Sequence, residues 1–70
     1  MNSNTNFQLF DEDWNLRFVD KLDNDMLGVA NSSLYQIDVA ENDKDGKPYS
    51  EKVVKMTIAH ELIHAILDSG

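Results

Sequence analysis

Residues 50–70 read SEKVVKMTIAHELIHAILDSG, and this stretch carries the strongest structural signal in the chain. Ser50 is a favourable N-cap, Glu51 places negative charge in the first turn, and Gly70 follows as a helix stop. The segment therefore predicts a helix from Ser50 to about Asp68. No other segment of the chain is predicted to be a helix, so this one decides the fold class.

The predicted helix is apolar on nearly every side. At 100° per residue, one broad apolar face is formed by Val54, Ile58, Leu62, Ala65 and Ile66, which Met56, Ile63 and Leu67 extend. A helix with so much apolar surface is expected to be buried. The remaining surface is one narrow polar seam, made up of Thr57, His60, Glu61, His64 and Asp68.

Three residues of the polar seam form an H-E-x-x-H pattern, His60-Glu61-Leu62-Ile63-His64. Residues four apart lie one above the other on a helix, so the two imidazoles can converge on one tetrahedral metal ion. Glu61 lies beside them, where its carboxylate can reach an activated water without ligating the metal. The pattern therefore indicates His60 and His64 as zinc ligands and Glu61 as a catalytic general base.

A purely structural interpretation of the same pattern is also open. His60 and His64 would then be ordinary surface histidines on an amphipathic helix, with Glu61 as a solvated charge. The apolar character of the rest of the helix favours the metal-binding interpretation, because a solvated face is usually more polar than this one.

The chain before the helix contains two segments with the alternation typical of half-buried strands. Apolar side chains point one way at Trp14, Leu16 and Phe18 in residues 14–19, and at Tyr35, Ile37 and Val39 in residues 34–40. The weaker alternation from Phe7 to Phe10 predicts a short edge strand at most. The expected fold class is α+β, with a small antiparallel sheet of two or three strands packed on one long C-terminal helix.

Composition limits the classes of function. The chain has 13 acidic and 6 basic residues and a formal net charge of −7, which argues against binding to nucleic acid. It has no cysteine, so any metal must be held by His, Asp or Glu. No apolar stretch is long enough for a bilayer and no signal peptide is recognisable, so we expect a cytoplasmic protein without membrane contact.

The segment TIAHELIHAIL, residues 57–67, resembles the active-site helix of small zincin-like metallopeptidases found in phages and mobile elements. These enzymes are relatives of the ImmA/IrrE and SprT-like peptidases. The order strand, strand, loop and helix is also similar from residue 14 onward. The resemblance implies a single domain with a zincin-like core over residues 14–70 and an N-terminal arm or short edge strand over residues 1–13.

The same resemblance implies a zinc-dependent peptidase. His60 and His64 would hold the zinc ion, and Glu61 would be the general base. The substrate would be a peptide or protein whose extended backbone lies along Tyr35–Val39 as the edge strand of the sheet.

The chain departs from the zincin pattern in one respect, because zincins take a third protein ligand from a later helix. Asp68 lies about 6 Å beyond His64 along the helix axis, too far for its short side chain to reach an ion held between the two histidines. Asp38, on the polar side of its strand, is therefore the better internal candidate. We therefore expect either the N-terminal part of a longer domain or a short protein completed by a partner chain.

The alternative function is a non-catalytic zincin-like remnant that acts as a small protein-binding module. Its support is the missing third ligand and the short length of the chain. The apolar surface of the helix exceeds what a small sheet can cover, which predicts either a homo-oligomer formed through the apolar helix face or a missing C-terminal half of the domain.

Overall fold

The computed structural model describes residues 4–69 and shows an α+β fold. Its elements are β1 (Asn4–Leu9), β2 (Glu12–Val19), β3 (Gly28–Asn31), β4 (Gln36–Ala40) and α1 (Glu51–Ser69), with a short 3₁₀ turn at Asp23–Asp25. The predicted fold class is confirmed. The sheet, however, has four strands rather than two or three, and it is mixed rather than antiparallel. The helix stop predicted at Gly70 lies outside the described residues.

The strand order in the sheet is β1-β2-β4-β3. β1 and β2 form an antiparallel hairpin whose two loop residues, Phe10 and Asp11, have φ values of 52° and 65°, as in the type I′ turns that suit strand twist. β3 and β4 are also antiparallel. β2 and β4 are parallel, because β3, which follows β2 in the sequence, returns the chain before β4 begins. β4 therefore lies inside the sheet. The expectation that Tyr35–Val39 forms an open edge is wrong, and β3 is an edge strand.

The hydrophobic core lies between the sheet and α1. Its fully buried members are Trp14 on β2, Ile37 and Val39 on β4, and Ala65 on the helix. The partly buried residues packed around them are Phe7, Leu9, Leu16, Phe18, Ala30, Val54, Ile58 and Leu62. The alternation predicted for β2 is confirmed, and so is that of Ile37 and Val39 on β4, since these apolar residues share one face of the sheet. Leu34 and Tyr35, which the prediction included in the same strand, precede β4 and are exposed.

The opposite face of the sheet is polar. Arg17 on β2 is in register with Asp38 on β4, and its Nε and Nη2 donate hydrogen bonds of 2.9 and 3.0 Å to the two carboxylate oxygens of Asp38. Gln36 donates to the same carboxylate. The hydrogen bond to Asp38, reinforced by its charge, raises the pKa of Arg17. The carboxylate of Asp38 is thus held on the side of the sheet away from the helix.

α1 begins as the sequence predicts. The Ser50 hydroxyl oxygen accepts a hydrogen bond of 3.2 Å from the backbone N–H of Val53, and the Ser50 carbonyl accepts one of 3.1 Å from Val54. These contacts satisfy amide groups that a helix N-terminus otherwise leaves without partners. The predicted N-cap is therefore confirmed.

Only one side of α1 is covered by the sheet. Thr57, Glu61 and Ala65 are buried, whereas Met56, Ile63 and Leu67 are 61%, 57% and 72% exposed. Ile66, which the helical projection places on the buried face, is also exposed. The expectation of a helix buried nearly all round is wrong, because a single sheet contacts a helix along one stripe. Within residues 4–69, no helix combines the length and apolar character needed to cross a membrane.

We expect Ser50→Ala to lower the free energy of unfolding by about 1 kcal/mol, because the N–H of Val53 loses its side-chain acceptor. Urea denaturation measures the change. Ser33→Ala is the matched control, since it removes the same hydroxyl from an exposed turn residue and should change stability by less than about 0.5 kcal/mol. Equal losses in the two variants would contradict the capping role.

Candidate active site

The polar seam of α1 faces a cleft between the helix and the edge strand β3. The cleft has a volume of about 510 Å³ and is lined by Met26, Leu27, Gly28, Val29, Ala30, His60, Glu61, His64 and Asp68. Glu61 and Thr57 lie on the side of the seam nearest the sheet and are buried, whereas His60 and His64 are exposed at the rim. The structure therefore brings the three residues of the sequence motif to one cavity.

His60 and His64 point their Nε2 atoms at each other. The two atoms are 3.0 Å apart, and the ring planes are at 77°. Two nitrogen ligands of one tetrahedral zinc ion, at bond lengths of about 2.0–2.1 Å, are about 3.3 Å apart. The observed separation is thus about 0.3 Å shorter than that of two ligands on one ion. The same separation also suits a hydrogen bond from one neutral imidazole to the other.

A third protein ligand is not present in the described part of the chain. Among residues 4–69, no group of three His, Asp or Glu side chains could hold a metal ion. Asp68 lines the cleft with the two histidines but does not complete such a group. Asp38, the internal candidate from the sequence, is paired with Arg17 on the other face of the sheet. Its assignment as the third ligand is wrong, because the sheet separates it from the histidines.

Glu61 is positioned by the helix and by β3 together. It follows His60 by one residue, so its side chain is turned about 100° toward the sheet, where it packs against Gly28. Only 8% of its surface is exposed, and that part opens into the cleft. A carboxylate held at this place, beside two imidazoles, is suited to accept a proton from a water molecule in the cleft.

The open edge of β3 runs along the cleft. The backbone N–H of Ala40 donates a hydrogen bond of 2.9 Å to the carbonyl of Leu27, so these two residues form a hydrogen-bonded pair at the start of the hairpin. Antiparallel pairs alternate between hydrogen-bonded and non-hydrogen-bonded types. The backbone N–H and C=O groups of Gly28 and Ala30 are therefore directed away from β4, toward the open edge. An extended peptide could use them as a template.

A second, more apolar cavity adjoins the cleft. It has a volume of about 370 Å³ and is lined by Leu27, Val53, Met56, Thr57, His60 and Glu61. Since His60 and Glu61 line both cavities, an apolar side chain placed in this pocket lies next to the candidate catalytic groups. The sequence motif gives no indication of this pocket, because it is formed by residues from two distant segments.

Comparisons of the chain with protein-family models, with curated proteins and with solved structures gave no match. The geometry of the residues in the candidate site is therefore the basis for its function. The resemblance of the motif helix to zincin-like peptidases stays a prediction.

We expect the chain to bind zinc through the histidine pair. Loss of a residue that only hydrogen-bonds to a metal ligand weakens metal affinity by roughly 10–100-fold. His64→Ala removes a proposed ligand itself and should weaken the zinc affinity by more than this. Isothermal titration calorimetry measures the affinity. Asp38→Asn is the control, and its zinc affinity should equal that of the wild type because this carboxylate lies across the sheet. Wild-type affinity in His64→Ala would show that the histidines are not ligands.

Proposed function

We propose that the chain is a zinc-dependent metallopeptidase, or the N-terminal part of one, that hydrolyses a peptide or protein substrate held in the cleft. One arrangement carries the proposal. The Nε2 atoms of His60 and His64 are 3.0 Å apart on the same cavity as the buried Glu61, beside the open edge of β3. Each of these features is expected of a peptidase, and their coincidence in one cleft favours that function over a structural role.

The two histidines would hold the ion by their Nε2 atoms, and the third ligand would come from outside residues 4–69. When bound, zinc supplies Lewis-acid activation of a water molecule and of the substrate carbonyl. Glu61 accepts a proton from the water molecule as the water oxygen bonds to the carbonyl carbon of the substrate. Glu61 then gives this proton to the amine nitrogen as the C–N bond breaks, so the carboxylate is regenerated.

The substrate is expected to bind in an extended conformation. Its backbone would pair with the outward N–H and C=O groups of Gly28 and Ala30, in the manner of an added strand. A side chain next to the scissile bond would enter the pocket formed by Leu27, Val53 and Met56. Because hydrocarbon lines most of that pocket, the geometry favours peptides with an apolar residue at this position over those with an acidic one.

We expect Glu61→Gln to lower kcat by at least about 100-fold, because the amide keeps the size of the side chain but cannot accept the proton. The zinc affinity should remain near that of the wild type, since Glu61 is not a proposed ligand. A fluorogenic peptide with an apolar residue beside the scissile bond measures the rate.

The matched control for this experiment is Glu51→Gln. It makes the same change on the same helix, at an exposed carboxylate that pairs with Lys55 at 2.9 Å. Its kcat should equal that of the wild type. Equal hydrolysis by the wild type and Glu61→Gln would overturn the assignment of Glu61.

A second candidate function is a non-catalytic protein-binding module, and one surface favours it. Met56, Ile63 and Leu67 are exposed along α1, at spacings of seven and four residues that place them on one side of the helix. We call these three residues the outer stripe. Large apolar side chains exposed together often mark an interaction surface, so the outer stripe is suited to packing against another helix. A second copy of the chain is one such partner, consistent with the expected homo-oligomer.

We expect the wild type to self-associate at high concentration and Ile63→Glu to remain monomeric, because the added charge lies in the centre of the outer stripe. Sedimentation equilibrium measures the mass. Thr5→Glu adds the same charge on the exposed strand β1 and should leave the association unchanged. A monomeric wild type over the whole concentration range would contradict assembly through this face.

A further inference from the structure

Gly28 marks the closest approach of the edge strand β3 to the motif helix. A Cβ atom added at this residue would lie 2.7 Å from Cγ2 of Thr57, 3.0 Å from Cγ of Glu61 and 3.3 Å from the backbone oxygen of Asp38. Carbon atoms in favourable contact are about 3.5–4.0 Å apart. The strand and the helix can therefore meet at their observed separation only because residue 28 has no side chain.

The atoms around Gly28 cannot easily make room. The Thr57 side chain is β-branched, and its hydroxyl donates a hydrogen bond of 2.8 Å to the carbonyl of Val53, which fixes its rotamer. The oxygen of Asp38 belongs to the backbone of the central strand β4. A methyl group at residue 28 must therefore push β3 away from α1 or displace the side chain of Glu61.

The backbone of Gly28 also belongs to the open edge that faces the cleft. The alternation of the β3–β4 pairing directs its N–H and C=O outward, toward the place proposed for the substrate backbone. One residue thus touches the proposed general base on one side and offers hydrogen-bonding groups to the substrate on the other.

We propose that Gly28 is a positioning residue that sets the distance between the substrate backbone on β3 and the carboxylate of Glu61. The proposal rests on the function proposed above and assigns a role in it to a residue outside the H-E-x-x-H motif. The three atoms nearest to an added methyl belong to Thr57, Glu61 and the backbone of Asp38, and none of them to His60 or His64. A methyl group at residue 28 should therefore displace the carboxylate of Glu61 without affecting zinc binding by the two histidines.

The test compares Gly28→Ala with the wild type in the hydrolysis of an extended peptide and in zinc titration. A misplacement of about 1 Å can cost about 100-fold in rate, so a shift of a few tenths of an ångström should lower kcat by about tenfold. KM should change by less than about threefold, because the backbone groups of residue 28 remain. Zinc affinity should likewise stay within about threefold of the wild type.

Two further variants separate positioning from stability. Thr57→Ser removes the Cγ2 that lies 2.7 Å from the added methyl and keeps the hydroxyl bonded to Val53, so Gly28→Ala/Thr57→Ser should recover part of the lost kcat. Gly46→Ala adds the same methyl at φ 82°, where no atom beyond the two neighbouring residues lies within 4 Å. It should lower the urea midpoint through backbone strain and leave kcat unchanged.

The outcomes distinguish this inference from the proposed function. An active wild type with unchanged kcat in Gly28→Ala overturns the positioning role alone, as does a parallel loss of zinc affinity in that variant. Failure of Thr57→Ser to restore any activity also overturns it. A wild type that binds zinc but hydrolyses no peptide overturns the proposed function, and the positioning role falls with it.

Discussion

The packing of one stripe of α1 on two neighbouring strands determines most of this structure. Thr57, Glu61 and Ala65 follow each other at four-residue intervals and all lie against the sheet. On β3 the residues that face them are Gly28 and Ala30, both small, so the helix approaches this strand closely. The bulkier Ile37 and Val39 fill the space under the helix on β4 and complete the core. The rotation of α1 about its axis is fixed by this fit.

The location of the candidate site follows from that rotation. Once Glu61 faces the sheet, His60 and His64 come to the rim of the cleft, because they lie 60–100° away from Glu61 around the helix. The same rotation turns Ile63 and Leu67 to the outside, beyond the histidines. The histidine pair therefore separates a buried side of the helix from an exposed apolar one.

The features that the sequence predicts are local ones. The N-cap at Ser50 and the extent of the helix depend on hydrogen bonds within one turn, and the alternation in β2 depends on neighbours two residues apart. The convergence of His60 and His64 is a property of four-residue spacing in any helix. These features could be predicted because no distant segment is needed to specify them.

The features that the sequence does not predict depend on distant segments. β3 has only four residues, and its helix-facing positions are Gly28 and Ala30. Glycine and alanine are not typical of strands, so the sequence of this segment does not predict one. The parallel pairing of β2 with β4 joins segments about twenty residues apart. Hydrophobicity alone would also turn Ile66 inward, whereas the narrow space over β3 accommodates Thr57 and Glu61 instead. The fit between α1 and β3 therefore outweighs the larger apolar area that burial of Ile66 would provide.

Glu61 is the one charged residue buried in the described part of the chain. Its carboxylate oxygens are not among the buried side-chain atoms that lack a hydrogen-bond partner, so the carboxylate reaches the cleft although most of the residue is covered. The described structure pairs it with no Lys or Arg. Water in the cleft therefore solvates this carboxylate, which suits a general base that takes its proton from a water molecule. The two imidazoles at the rim of the same cleft are 3.0 Å apart, a separation that their four-residue spacing allows with or without an ion.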